Sequence, residues 1–272
     1  MTTTTPTPAP TQPNTLRTVL LVVGSVVLVA IIGYLVIAVV ATANRSDASR
    51  EVEISESFDD VSVDVGVADV VIEYADVADA TVDFRQNDAR RTFDFDADLV
   101  GSTLEVRVTD KWSGFWLPFG NQSAPVVTIT LPESLEELDI EVESGVGDVA
   151  LEGAFGDVDL GSGVGDIRLE GSATEADIET SVGDITARDF SVAGALTVTS
   201  STGDVTLSLE DVPESLEVSS NVGDQNITIP DGSYRVETES GVGDISIAVD
   251  NDSDASTLLR FTSSVGDITV RN

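Results

Sequence analysis

Around residue 184 the chain reads Ile178-Glu179-Thr180-Ser181-Val182-Gly183-Asp184-Ile185-Thr186-Ala187, and this stretch is one copy of a recurring block. Gly-Asp pairs stand at 147–148, 165–166, 183–184, 203–204, 223–224, 243–244 and 266–267, at intervals of 18, 18, 20, 20, 20 and 23 residues. Four residues before each Asp is a hydroxyl: Ser144, Ser162, Thr180, Ser200, Ser220, Ser240 or Ser263. Two before it stands Val six times and Thr once. A strict block returning about every 20 residues points to a solenoid, in which each repeat buries its apolar edge only against its neighbours.

The flanks of the block identify the unit. Residues alternate before it, as in Ile140-Glu141-Val142-Glu143-Ser144, and again after it, as in Ile167-Arg168-Leu169 and Ile268-Thr269-Val270. Period-two alternation in β-branched residues marks half-buried strands, and the Gly, Ser and Asn cluster between them marks a corner. The chain is therefore expected to be all-β: a parallel β-solenoid of about 20-residue rungs, each a strand, a tight corner, a strand and a return loop. Val, Ile and Leu are expected inside, with Asp, Glu, Ser and Thr outside.

Working upstream, Val61 to Ile72 resembles a degenerate rung whose corner is stretched by one residue, followed by strand-like runs near 80–85, 91–96, 103–109 and 126–131. Terminal repeats must cap a solenoid and are atypical, so 58–132 is read as a β-rich cap with the first rung, and 133–272 as the regular repeats. Downstream, the chain stops straight after the last expected strand. That predicts an uncovered final rung at the end of the stack, able to pair with another chain.

Before the β-rich region, Thr18 to Asn44 carries no charge, and Val19 to Val40 is a run of 22 residues made almost wholly of Val, Leu, Ile and Ala. As a helix it would extend ~33 Å, enough for a hydrocarbon core of about 30 Å. Residues 18–43 are read as a transmembrane anchor. A cleaved secretory signal is the alternative, because Ala41-Thr42-Ala43 fits a processing site. Residues 1–17 form a Thr- and Pro-rich disordered tail and 44–57 a linker. All 49 acidic residues and 12 of the 13 basic ones follow the span, so residues 45–272 carry a net charge of −37. Long domains translocate largely regardless of flanking charge. The expected placement is a single-pass cell-membrane protein with a cytoplasmic tail and a large extracellular C-terminal domain.

Composition removes much chemistry. With no Cys and no His there is no disulfide, thiol nucleophile, Cys- or His-type zinc site or Ser-His-Asp triad. A net charge of −36 and scattered Arg residues argue against a nucleic-acid partner.

The single span, the β-rich lead-in ending Ile129-Thr130-Leu131-Pro132 and the serial Ser-x-Val-Gly-Asp-(Ile/Val)-x-(Leu/Ile) repeats resemble the "putative adhesin" family of bacterial membrane-anchored β-strand-repeat surface proteins. The resemblance spans roughly residues 51–272. It implies the repeat fold and a surface role, and brings no catalytic residues.

Two features are candidate sites. Asp148, Asp166, Asp184, Asp204, Asp224, Asp244 and Asp267 would stack along one edge, where calcium could relieve their repulsion. At ~5 Å two carboxylates repel by roughly 0.8 kcal/mol in water and about 3 at an effective dielectric near 20. Alternatively each Asp accepts backbone N–H bonds at its own corner, with the Ser or Thr hydroxyl closing the turn. The spacing favours the corner: calcium β-rolls read Gly-Gly-x-Gly-x-Asp twice per coil, whereas here Asp follows Gly directly, once per rung. No resident cofactor is expected. The second feature is the aromatic run Lys111 to Gly120, where Trp112, Phe115, Trp116 and Phe119 would either grip a membrane or partner or plug the cap. The function expected is a non-catalytic surface, adhesion or cell-envelope interaction module, whose partner is a surface glycan, protein or envelope ligand. A calcium- or envelope-ligand-binding sensor and a carbohydrate-active β-helix enzyme are the alternatives.

Overall fold

The corner block folds as a corner because two geometric demands meet in it. Gly183 has φ of 147°, and its equivalents from Gly147 to Gly266 have φ between 144° and 154°, a region that only Gly populates readily. The rungs also stack so closely that a Cβ at Gly183 would overlap the Gly165 carbonyl oxygen of the neighbouring rung. Either side of the corner the β-branched runs extend as strands, one into each of two sheets.

A computed structural model describes residues 48–86, 93–110, 124–135 and 137–272. The expected span 18–43 and the aromatic run 111–120 lie outside the described residues. Among those described, no helix is long and apolar enough to cross a membrane.

In chain order the strands are β1 (Ala48–Ile54), β2 (Asp60–Val67), β3 (Asp69–Ala75), β4 (Ala80–Gln86), β5 (Phe93–Val100), β6 (Thr103–Asp110), β7 (Val126–Pro132), β8 (Asp139–Val146), β9 (Val149–Ala154), β10 (Asp157–Val164) and β11 (Ile167–Ala173). There follow β12 (Glu175–Val182), β13 (Ile185–Val192), β14 (Ala195–Thr202), β15 (Val205–Leu209), β16 (Ser215–Val222), β17 (Gln225–Thr228), β18 (Ser233–Val242), β19 (Ile245–Ile247), β20 (Asp250–Asn251), β21 (Leu258–Val265) and β22 (Ile268–Arg271). One eleven-stranded sheet runs β1-β4-β7-β3-β9-β11-β13-β15-β17-β22-β19; the other runs β20-β18-β21-β16-β14-β12-β10-β8-β2-β6-β5. Each rung places one strand in each sheet.

Pairing is parallel from rung to rung and in register apart from a bulge at Arg188–Phe190 of β13, so Ile140, Val158, Ala176, Leu196 and Leu216 form one inward file. Among the described residues the antiparallel pairs are β1 with β4, β4 with β7 and β5 with β6. They close one end, where Phe84 stacks on Phe95 with centroids 5.1 Å apart and meets Phe93 edge-on at 6.1 Å. The core between the sheets is mostly aliphatic, with Ile72, Leu104, Ile129, Ile167, Ile178 and Ile185 all fully buried beside Phe190 and Phe261.

Three details depart from the expectations. The first rung has no stretched corner: Val67 pairs with Val146 and Val70 with Val149, so Gly66-Val67-Ala68-Asp69 matches Gly145-Val146-Gly147-Asp148 residue for residue. Ala68 is tolerated there because the outer neighbour is not another Gly-Asp corner; the Asp69 N–H bonds the Pro125 carbonyl instead, at 2.8 Å. The C-terminal rung does not end the stack. β21 lies between β16 and β18, and β22 between β17 and β19. The 23-residue last interval contains the slack, including β20, that lets the chain pass outside and return. Finally, the corner inverts two side-chain positions. Ser144, Ser162, Thr180, Ser200, Ser220 and Ser263 point inward and are buried, whereas Val146, Val164, Val182, Val222, Val242 and Val265 are exposed. Two successive residues face outward where the chain bends, which breaks the alternation and puts the second, Val, on the outside.

Candidate functional site

The stacked corners form one continuous edge, and the seven Asp residues singled out from the sequence all lie on it. Six of the seven carboxylates serve the neighbouring rung, not their own corner, Asp244 being the exception: the Asp166 N–H donates to Asp148 Oδ1 at 2.9 Å, Asp184 to Asp166 at 3.0 Å, Asp204 to Asp184 at 2.9 Å and Asp224 to Asp204 at 2.8 Å. The file continues through Asp267 onto Asp224 at 2.9 Å and Asp244 onto Asp267 at 2.8 Å, and starts with Asp148 onto Asp69 at 3.0 Å. Flanking backbone bonds complete the join, for example Gly165 N–H to the Val182 carbonyl and Ile167 N–H to the Asp184 carbonyl, both 2.9 Å. The side chain thus supplies the acceptor that the bent backbone cannot offer to the Asp N–H, so the carboxylate is part of the ladder.

That use leaves one oxygen of each carboxylate directed to solvent. Arg168 exploits it, placing Nη1 at 3.3 Å from Asp148 Oδ2 and Nη2 at 2.8 Å from Asp166 Oδ2. A guanidinium therefore bridges two successive rungs, and it is exposed. Among the described residues no group of three or more acidic side chains converges on a point that could hold a metal ion. The Asp file is linear, so each cation placed on it would meet carboxylates from adjacent rungs only.

Behind the Asp file runs a file of buried hydroxyls in register: Ser144, Ser162, Thr180, Ser200, Ser220 and Ser263. Ser200 and Ser263 reach the carbonyl of the Gly three residues on, at 3.5 Å each. Among the described residues the Ser144, Ser162, Thr180 and Ser220 hydroxyls find no partner, although Thr180 is fully buried. The expected closing of the turn by the hydroxyl is thus a weak contact at two corners.

The outward Val residues were missed as a surface. In spatial order Val67, Val146, Val164, Val182, Thr202, Val222, Val265 and Val242 stand in register. At strand spacing of about 4.8 Å this ridge extends for ~34 Å along the edge. Val146, Val164, Val182, Val222 and Val265 are each 47–49% exposed. The repeated block already contained the signal: a Val at one fixed position in six of seven repeats, next to a bend. Beside every Val, two residues on, is a corner Asp, so an apolar line runs alongside an anionic line.

On the outer face of the second sheet a groove of about 520 Å³ is lined by Asp60, Asp139, Asp157, Glu175 and Asp177, among others. The carboxyl of Asp177 titrates above the ordinary carboxylate value, because of partial burial first and then the charges of Asp159 and Glu179. Of the aromatic set, Trp112, Phe115, Trp116 and Phe119 lie outside the described residues. Their segment joins β6 to β7, the place that a four-residue corner block takes in the regular rungs.

Comparison with known proteins bears on the fold. In a solved structure titled as a "putative adhesin" from Bacteroides fragilis NCTC 9343, the similarity covers 84% of this chain and 97% of that one, with 16% identity and a TM-score of 0.53. A "putative cell adhesion protein" from Clostridium sporogenes ATCC 15579 matches over 83% and 99% of the two chains at 12% identity, with a TM-score of 0.38. A "putative lipid binding protein" from Parabacteroides distasonis ATCC 8503 matches over 82% and 97% at 18% identity, with a TM-score of 0.39. No curated protein matches this chain. The family model described as Toastrack DUF4097 matches twice, over residues 58–171 and 140–271, a span that takes in β4 and β5 of the antiparallel cap and all seven Gly-Asp corners. The chain belongs to the Toastrack DUF4097 family.

Proposed function

We propose that this is a single-pass membrane protein whose solenoid stands outside the cell and acts, without catalysis, as an adhesion or envelope interaction module. The observation that carries this reading is the ridge of Val146, Val164, Val182, Val222, Val265 and Val242, exposed along the whole edge of an otherwise strongly anionic surface. Contiguous apolar surface of this kind on a monomer marks an interaction site. The interior strands do not need it, since their burial is complete without these side chains. The uncharged run Val19–Val40 supports the anchor, and the fold shared with the Bacteroides fragilis structure of adhesin title supports a surface role.

The partner this edge suits presents apolar groups flanked by cationic ones. Arg168 shows the arrangement, since its guanidinium already bridges two corner carboxylates beside the ridge. A calcium-dependent mode is the weaker reading, because six of the seven carboxylates already commit one oxygen to a backbone amide of the next rung.

The test compares cells displaying the full chain with cells displaying the V164D/V182D variant, on surfaces coated with a lysine–valine copolymer, with polylysine or with neutral dextran. Retention on the copolymer beyond that on polylysine, lost in the variant, is the expected result. Equal retention of both cell types on every coating would overturn the ridge as the contact.

A further inference from the structure

The stack has one capped end and one open end. The antiparallel strands and the Phe84 cluster close the first; β18 and β19 form the second. We propose that this open end is a strand-acceptor edge that takes an extended, basic segment of another protein. The inference does not depend on the ridge.

Hydrogen bonding shows the missing neighbour. At the corner of Asp224, the Gly223 N–H donates to the Val265 carbonyl at 3.0 Å, Asp224 Oδ1 accepts from the Asp267 N–H at 2.9 Å, and the Gln225 N–H donates to the Asp267 carbonyl at 2.8 Å. Every inner corner is joined outward by the same three bonds. At Gly243-Asp244-Ile245 none of the three has a partner among the described residues. Donor, acceptor and donor are left in the pattern that an added strand satisfies.

Burial shows the same vacancy in the core. Ile245 is 43% exposed, whereas the residues in its file, Ile185, Val205 and Ile268, are fully buried. Val242 is 66% exposed, against 47–49% for the other ridge Val residues noted above. Thr238 is exposed although its register partner Phe261 is fully buried. The strap β20 covers only the start of β18: it pairs at Ser233 and Tyr234, and the Asn251 side chain holds the Val236 N–H at 3.1 Å. Beyond that, 238–247 is unpaired on its outer side among the described residues.

Proteins usually blunt such an edge with Lys, Pro or a bulge. Residues 238–247 contain no Lys, Arg or Pro, so pairing there is not opposed from within. The charge of the end selects the occupant. Glu239, Asp244, Asp250, Asp252 and Asp254 are all exposed around it, so a second copy docked end to end would set like charges against like. A strand alternating apolar and cationic residues meets both the Ile245 and Ile247 side chains and the carboxylates.

The experiment uses the full chain in detergent micelles with two seven-residue probes, one alternating Lys and Val and one with the same residues in two blocks. Amide exchange over 238–247 is followed by mass spectrometry as each peptide is titrated. The alternating peptide is expected to slow exchange there at least tenfold in a saturable manner, with no such effect from the block peptide. Ile245→Lys is expected to abolish that protection and the exposed Ser246→Lys to weaken it at least tenfold, while the exposed Thr206→Lys in β15, away from the edge, leaves it unchanged. Equal protection by the two peptides, or protection that Ser246→Lys does not alter, would overturn the proposal. So would protection without peptide that disappears on dilution together with a dimeric mass, which assigns the edge to a second copy.

Discussion

Asp184 illustrates how one side chain can be both necessary and costly. Its Oδ1 accepts the Asp204 N–H at 2.9 Å, a bond worth about 1 kcal/mol net. Its neighbours in the file repel it by roughly 0.8 kcal/mol each in water at ~5 Å, less as salt screens the exposed charges. The two terms are similar in size, so their balance depends on ionic strength. Asp184→Ala is expected to be nearly neutral at low salt and to destabilise by about 1 kcal/mol at 1 M salt. Asp184→Asn keeps an acceptor oxygen and drops the charge, so it is expected to match or exceed the wild type in stability at low salt. Chemical denaturation at two salt concentrations checks both. If calcium held the file together, Asn would instead cost as much as Ala whenever calcium is present. The alternation of Ile140, Val142 and Ser144 already implied that the hydroxyl faces inward; assigning polar residues outside by type, against that parity, is what hid it.

At the level of strands, the in-register parallel pairing converts each sequence position into a file, and a suboptimal residue is repeated down the stack. The hydroxyl file is the clearest case. Thr180 is fully buried with its Oγ1 unpartnered, which costs about 1–3 kcal/mol relative to a satisfied or apolar group. Thr180→Val is nearly isosteric and is expected to raise stability by about 1 kcal/mol, read as a shift in denaturation midpoint at unchanged slope. A loss of stability would mean that the hydroxyls are satisfied by water between the rungs. Rung order was the feature least accessible from the repeats. All corners carry the same donors and acceptors, so Asp267 fits between Asp224 and Asp244 as well as it would fit beyond them. Gln225 was the one clue: a polar residue where other rungs have Ile or Val, now buried and donating from Nε2 to the Thr262 carbonyl of the inserted rung at 2.7 Å.

For the molecule as a whole, the strongly negative charge loads the folded state with carboxylates held at rung spacing. Asp177 records this directly, since burial and the charges of Asp159 and Glu179 raise its titration above 3.8. An acid whose folded-state value is raised binds more protons folded than unfolded in the window just above 3.8, so its contribution to stability falls as pH rises through that window. At pH 7 the side chain is ionised in both states and the penalty is complete. Asp177→Asn is accordingly expected to raise Tm at pH 7, with the gain shrinking as pH is lowered and absent below the unfolded value; thermal melts between pH 3 and pH 7 measure it. A gain that grows on acidification would contradict the direction of the shift.

The sequence by itself determined the class of fold, the rung and the corner, because Gly-Asp spacing and period-two alternation are local properties that any stacked copy must satisfy. It also determined that seven Asp residues share an edge, since identical repeats in register cannot do otherwise. Only the tertiary structure decided which rung neighbours which, that the carboxylates of the inner corners serve the next rung, that the repeated Val faces out, and that β18 and β19 form the open end. These depend on how strand–return–strand segments, repeating every 18 to 23 residues, carry the chain between interchangeable corners, and on where a bend interrupts alternation. Interchangeable parts leave no local record of the order in which they are assembled.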